Sequence, residues 1–99
     1  MALGDVQVDR TTGGLVLNCQ DGSLDHLDTR VVAPLIPTPP GAELVNRLHP
    51  RFNVQDAEHV LVTHLLTAVP TRSLGPPIAS LADERYRITG ALDLLLTGN

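Results

Sequence analysis

Lysine and tryptophan are missing altogether, and Phe52 and Tyr86 are the only aromatic residues among 99. Any core must therefore be built from aliphatic side chains. With no lysine, the basic side chains are seven arginines against eleven acids, a formal net charge of −4. That is the wrong sign for attracting a phosphate backbone, so no direct nucleic-acid binding is expected. Cysteine occurs once, at Cys19, which excludes an internal disulfide and fits a reducing compartment. No cation lies near Cys19 in the chain to lower its pKa, so it reads as a small buried side chain rather than a nucleophile. Long apolar runs are absent too. The charge-free stretch from Val31 up to Glu43 is broken by prolines and falls short of the ~20 apolar residues of a membrane span. The start, MALGDVQVDR, has neither the basic nor the apolar region of a signal peptide, so a soluble, cytoplasmic chain with no membrane contact is expected. G-x-S-x-G, P-loop and dinucleotide fingerprints are all lacking. No enzyme, no cofactor and no metal is expected.

What is present reads as one domain over residues 1–99, a length that suffices for one modest core without disulfides or metals. VQVDR and LVLNCQ flank TTGG, where Gly13 and Gly14 tolerate positive φ, so Val6 to Gln20 predicts a hairpin. RVVAPLI, residues 30–36, is β-branched and apolar, a third strand that Pro34 assigns to an edge or a bulge. PTPPGAELVNRLHP holds four prolines and predicts a mobile surface excursion. Two strand-like runs surround QDAE, and His59 to Val69 is long enough for a bent central strand. SLGPPIASL supplies a turn and a last short strand. A helix over 82–97 follows, with Ser80 and Asp83 in capping-box spacing. At ~100° per residue, Leu81, Ile88, Ala91, Leu92, Leu95 and Leu96 form one buried stripe. Tyr86, Gly90, Asp93 and Thr97 fall opposite, and Leu94 lies outside the stripe. Several antiparallel strands and one C-terminal helix predict a mainly β (α+β) domain, its sheet curled under the helix.

Clusters with chemistry are few. His59 and His64 point to opposite faces of a strand of period two, a poor metal pair. His26 and His49 read as solvated loop histidines. Asp21, Asp25 and Asp28 lack the spacing and terminal glutamate of a calcium loop and read as solvated loop charge.

Four stretches match in order and spacing over nearly the whole chain: LNCQDGSLDHLDTRVVAPL, RLHPRFNV, LVTHLLTAVPTRSLG and SLADERYRITGALDLLLTG. Their most specific parts are Asn18-x-Gln20 followed by TRVVAPL, and Ile88, Ala91, Asp93, Leu94 and Gly98 in the last helix. In these the chain resembles the CcdB family of bacterial toxins. The resemblance implies an SH3-like small barrel of antiparallel strands with one C-terminal α-helix, assembled as a homodimer. It implies a toxin that binds the DNA gyrase A subunit, traps the cleaved-DNA complex, is neutralised by the disordered tail of a CcdA-type antitoxin, and serves as corepressor with it.

Carried over by position, the gyrase contacts become Ser23 and Leu24 in a loop and Asp93, Thr97, Gly98 and Asn99 on the helix. The antitoxin contacts become Arg10, Thr11, Thr12, Gly13, Gly14 and Arg47, and Leu94 and Leu96 offer a dimer interface or complete the monomer core. The chain departs from its family where it matters: the best-studied toxin has tryptophan at the position of Thr97, isoleucine at that of Asn99, and isoleucine at that of Ser23. Each buried anchor lost from an interface typically costs ~2 kcal/mol, some thirtyfold in affinity, so weakened poisoning is expected. Two rivals stand beside this reading: a MazF/Kid-like mRNA endoribonuclease using Arg30, Thr29 and His26, and a non-toxic homologue that keeps only dimerisation and antitoxin binding.

Overall fold

The expected hairpin forms from β1 (Asp5–Val8) and β2 (Leu15–Asn18), antiparallel with Val6 opposite Leu17. Residues 2–99 are described in this computed structural model. Between the two strands, Asp9 N–H donates to Gly14 O at 2.9 Å and Gly13 N–H returns to Asp9 O at 2.7 Å. Gly13 alone turns the chain with positive φ, 77°; Gly14 stays outside that region.

The long central strand is β3 (Thr29–Pro37), paired on one edge with β2. Its other edge is shared by two strands further along the chain, β5 (Ala57–Leu61) against Leu35–Pro37 and β6 (Thr67–Pro70) against Thr29–Val32. Pro34 falls in the gap between these partners, where a missing N–H breaks no ladder bond, and its carbonyl accepts from Val62 N–H at 2.9 Å. Pro34 therefore marks neither a sheet edge nor a bulge but a change of partner in mid-sheet. The single bent strand expected over His59–Val69 is for the same reason two strands. Val62 leaves the extended region (ψ 73°) and a 3-10 turn, Thr63–Leu65, separates β5 from β6.

β4 (Arg51–Val54) pairs with β5, and β7 (Ala79–Ser80) with β1. The order β4-β5-β3-β2-β1-β7, with β6 also on β3, is antiparallel throughout and curls into a nearly closed SH3-like barrel. Segment 73–81 runs back along β1, through Arg10 N–H to Ser73 O, Gly75 N–H to Val8 O and Ile78 N–H to Val6 O.

Helix α1 (Arg85–Thr97) follows a 3-10 turn at Ala82–Glu84. The capping box does not form: Ser80 Oγ accepts from Ala82 N–H, and α1 begins without a side-chain cap. Ile88 and Ala91 are fully buried, Ile88 in a core with Val6, Leu17, Leu35, Phe52 and Leu61. Leu92 packs beside them. Leu96 does not belong to the buried stripe: it is 71% exposed, because at ~100° per residue it stands roughly 80° round the helix from Ile88.

The β4–β5 turn has positive φ at Gln55 (51°) and Asp56 (64°), the pattern of a tight hairpin turn that prefers Asn-Gly. Asp56 tolerates that conformation better than Gln55, but neither enters it as freely as glycine. Asp56→Gly is expected to stabilise the fold by about 0.5–1 kcal/mol, read from the urea midpoint.

Candidate partner-binding surface

Loop 21–28 leaves β2 and returns as β3, and its shape is set from inside by three buried polar side chains. Gln20 replaces the missing sheet neighbour: Oε1 accepts from Val31 N–H at 3.1 Å, while Nε2 donates to Leu24 O and Thr29 O at 3.3 Å each. Asn18 Oδ1 holds the Gln20 N–H at 2.9 Å. From the other end comes Arg30, 5% exposed. Its Nη1 donates to Leu27 O (2.8 Å) and Thr29 O (2.9 Å), its Nη2 to Asp25 O (2.7 Å), and its Nε lies 3.6 Å from Asp25 Oδ1. A buried cation is tolerable only when paired and hydrogen-bonded in this way. The resemblance motif Asn18-x-Gln20 plus Arg30 is thus a scaffold for the loop.

Of the three acids read as solvated charge, Asp21 and Asp28 are exposed, Asp28 contributing only its backbone carbonyl to the fold, while Asp25 is half-buried. Asp25 faces Arg30. Asp28 O accepts from Thr71 N–H at 2.8 Å. Asp21 accepts from Ser23 N–H at 3.0 Å and lies 3.6 Å from Arg85 Nη2; the Ser23 hydrogen bonds, then Arg85, hold its carboxyl below the usual value. With its backbone turned inward, the loop carries exposed Ser23 together with Leu24 and Leu27, 43% and 44% exposed.

The other candidate surface is the far end of α1. Thr97 Oγ1 turns back to donate to Asp93 O at 2.7 Å. Gly98 takes the left-handed conformation (φ 79°) and its N–H closes the helix on Leu94 O at 3.0 Å, a helix stop that only glycine enters without strain. Arg47 donates to Asn99 O. Asp93, Thr97, Gly98 and Asn99 are all exposed, as is Tyr86 at 71%. Between segment 46–50 and the open helix face at Gly90 lies a groove of about 300 Å³, lined also by Tyr86 and Arg87. Arg87 stacks 4.6 Å from the Phe52 ring centre and donates to Arg51 O and Glu84.

The six gyrase-contact candidates therefore reach the surface but form two patches in one chain. The Asp21–Arg85 pair puts the loop beside the start of α1, and twelve residue steps at ~1.5 Å place Thr97 roughly 18 Å further along. The antitoxin candidates divide as well. Arg10, Thr11, Thr12, Gly13 and Gly14 stand at the exposed hairpin tip, where Arg10 Nη1 donates to Arg72 O at 3.2 Å; Arg47 instead sits on Asn99. Leu94 is half-buried, whereas Leu96 is free of the monomer core.

Of the ribonuclease candidates, His26 and Thr29 are exposed, but Arg30 is buried with its donors committed to the loop. Cys19 packs against the core, and burial pushes its thiol up to about 12, which removes it as a nucleophile. His59 is buried in β5, Nδ1 donating to Ala57 O at 3.0 Å. His49, expected to be solvated, is half-buried and pairs with His64. Nothing in the sequence signalled that pair, because the β4–β5 hairpin makes the connection. Among the described residues, no helix is long and apolar enough to cross a membrane.

The family model described as CcdB protein matches residues 5–98. No curated protein matches the sequence. Among solved structures, the chain is similar to an endoribonuclease in complex with its cognate antitoxin from a mycobacterial species: TM-score 0.78, 16% identity, covering 97% of this chain and 94% of that one. It is similar to a MazE-MazF structure from Deinococcus radiodurans at TM-score 0.74 and 14% identity, covering 98% and 95%. A structure described as an Mtb toxin gives TM-score 0.68 and 17% identity, covering 90% and 94%. At these identities the structural likeness establishes the barrel alone.

Proposed function

Because the chain belongs to the CcdB family, we propose that it is the toxin of a toxin–antitoxin pair, acting on the A subunit of DNA gyrase by binding rather than by covalent chemistry. The observation that carries this reading is the family match over residues 5–98. The rigid loop supports it: Gln20 and Arg30 are spent on presenting Ser23, Leu24 and Leu27, a use of buried polar groups that suits a docking surface. Gyrase is contacted by this loop and by Asp93, Thr97, Gly98 and Asn99. Since these lie in two patches of one chain, a homodimer through Leu94 and exposed Leu96 is the arrangement that lets patches from two chains meet one target.

Neutralisation by a CcdA-type antitoxin with an acidic tail fits Arg10 and Arg47, and two of the structural neighbours carry antitoxin partners or names in their descriptions. Those neighbours also raise the mRNA endoribonuclease reading. Buried Arg30 speaks against it, as does an acidic surface where RNA needs positive charge. The terminal Thr97 and Asn99 favour weak poisoning, and in the limit a homologue that keeps only antitoxin binding. Titrating the purified protein into a supercoiling assay, with a parallel incubation with single-stranded RNA, separates the three. Inhibition at micromolar protein with intact RNA is expected. RNA cleavage without an effect on gyrase would install the ribonuclease instead, and neither effect would leave the antitoxin-binding homologue.

A further inference from the structure

His49 and His64 are 15 residues apart in the chain, yet His49 Nε2 lies 2.9 Å from His64 Nδ1. The ring centres are 5.0 Å apart and the planes cross at 72°. The second nitrogen of His49, Nδ1, accepts the Val45 backbone N–H at 3.1 Å, and His49 N–H returns to Val45 O at 2.7 Å. A backbone amide can only donate, so His49 Nδ1 carries a bare lone pair and the ring proton sits on Nε2. That proton is given to a bare Nδ1 on His64, whose own proton then sits on Nε2. One pair of tautomers satisfies every bond, and both rings in it are neutral.

A proton added to His49 would land on Nδ1, facing the Val45 N–H; a proton added to His64 would land on its Nδ1, facing His49 Nε2–H. Either addition sets donor against donor and breaks one link. The same bookkeeping disfavours a metal ion between the rings, since coordination at His49 Nε2 would move the proton to Nδ1. Among the described residues no group of three metal-ligating side chains forms.

We propose that the His49–His64 pair is an acid-sensitive latch on residues 45–49: a proton on His64 breaks their hold on the Thr63–Leu65 turn, and a proton on His49 breaks the Val45 clasp that folds the segment beneath the ring. The turn is a firm seat: Thr63 is fully buried and its carbonyl accepts from Leu66 N–H at 3.1 Å. Residues 42–49 form no strand or helix and are tied elsewhere through His49–His64 and Arg47–Asn99. Of the charged and titratable groups around the pair, His64 faces His49 from the turn, Glu43 and Arg47 belong to the same segment, Arg51 follows Pro50, and α1 contributes Tyr86 and Arg87 across the groove. Burial first, and then His64, lower the His49 pKa from its ordinary 6.5. An imidazole held below its ordinary value adds stability above that value, which is lost as pH falls through the folded one. The latch is closed at neutral pH and opens in acid.

Hydrogen exchange of amides 45–49, compared at pH 7.5 and pH 5.5 after correction for intrinsic rates, tests this together with long-range 1H–15N spectra of the rings. At pH 7.5 the spectra should show His49 protonated on Nε2. Opening of the segment should rise up to about tenfold by pH 5.5, the most that one imidazole of ordinary pKa contributes over that interval. Amides of Val6 and Leu17 should keep their protection and report an intact barrel. His64→Ala and His49→Ala should each leave the segment open at both pH values. A His49 ring protonated on Nδ1 at pH 7.5, or wild-type protection that does not change with pH, would overturn the latch.

Discussion

Arg30→Met should cost about 3–5 kcal/mol of stability, because it removes a buried guanidinium from three loop carbonyls and from the partly exposed Asp25 carboxylate. The loss has identifiable parts. The carbonyls of Asp25, Leu27 and Thr29 each lose a charged donor at 2.7–2.9 Å, and the Asp25 carboxyl loses the guanidinium beside it. For a domain of this size such a loss lowers the thermal midpoint by roughly 15–25 °C. The side chain cannot be replaced by bulk alone, because methionine has no donor for the three loop carbonyls. Differential scanning calorimetry checks the magnitude. A midpoint within 3 °C of wild type would show that the loop does not depend on Arg30, and with it the claim that this loop is a preformed surface would fall.

That scaffold was only half legible in the sequence. Asn18-x-Gln20 stood out as a pattern, but its meaning did not: a glutamine side chain completing a β ladder has no periodicity to betray it. Arg30 read as the start of a strand and as a ribonuclease candidate, and only the fold shows the loop closing around it. Where the rule was local, the reading succeeded. TTGG turned the first hairpin, and the leucine spacing placed Ile88 and Ala91 against the core. It failed where tertiary pairing overrode local pattern. His59 to Val69 has a strand's composition throughout but serves two different stretches of β3, so the chain must turn in between. Leu96 has the hydrophobicity of a core residue but points away from the barrel. His49 and His64 meet through strands that neither residue's neighbourhood announces.

The second large effect concerns the end of α1. Thr97 and Asn99 are exposed, and the Thr97 hydroxyl is satisfied by Asp93 O, so larger apolar side chains there disturb no packing. Thr97→Trp with Asn99→Ile should leave the unfolding midpoint unchanged while raising affinity for gyrase A at least about thirtyfold, taking ~2 kcal/mol for one well-placed anchor. Isothermal titration against a gyrase A fragment measures this. Unchanged affinity would mean that the helix end does not face gyrase, and would move the proposed contact to Leu24 and Leu27 or away from this protein altogether. The Arg47 contact to Asn99 lies beside both positions, so the double variant should also be assayed with Arg47→Ala to separate a new contact from a freed helix end.

The central claim is that this chain is a gyrase-directed toxin whose surface is retained and whose apolar anchors are reduced. It is tested most directly by the amount of linear DNA released when wild-type protein and the Thr97→Trp, Asn99→Ile variant are each incubated with gyrase, ATP and supercoiled plasmid. Trapped cleavage complexes are expected at high wild-type concentration and at a concentration at least about thirtyfold lower for the variant. Absence of trapped complexes with both proteins, at concentrations where both remain folded, would contradict that claim.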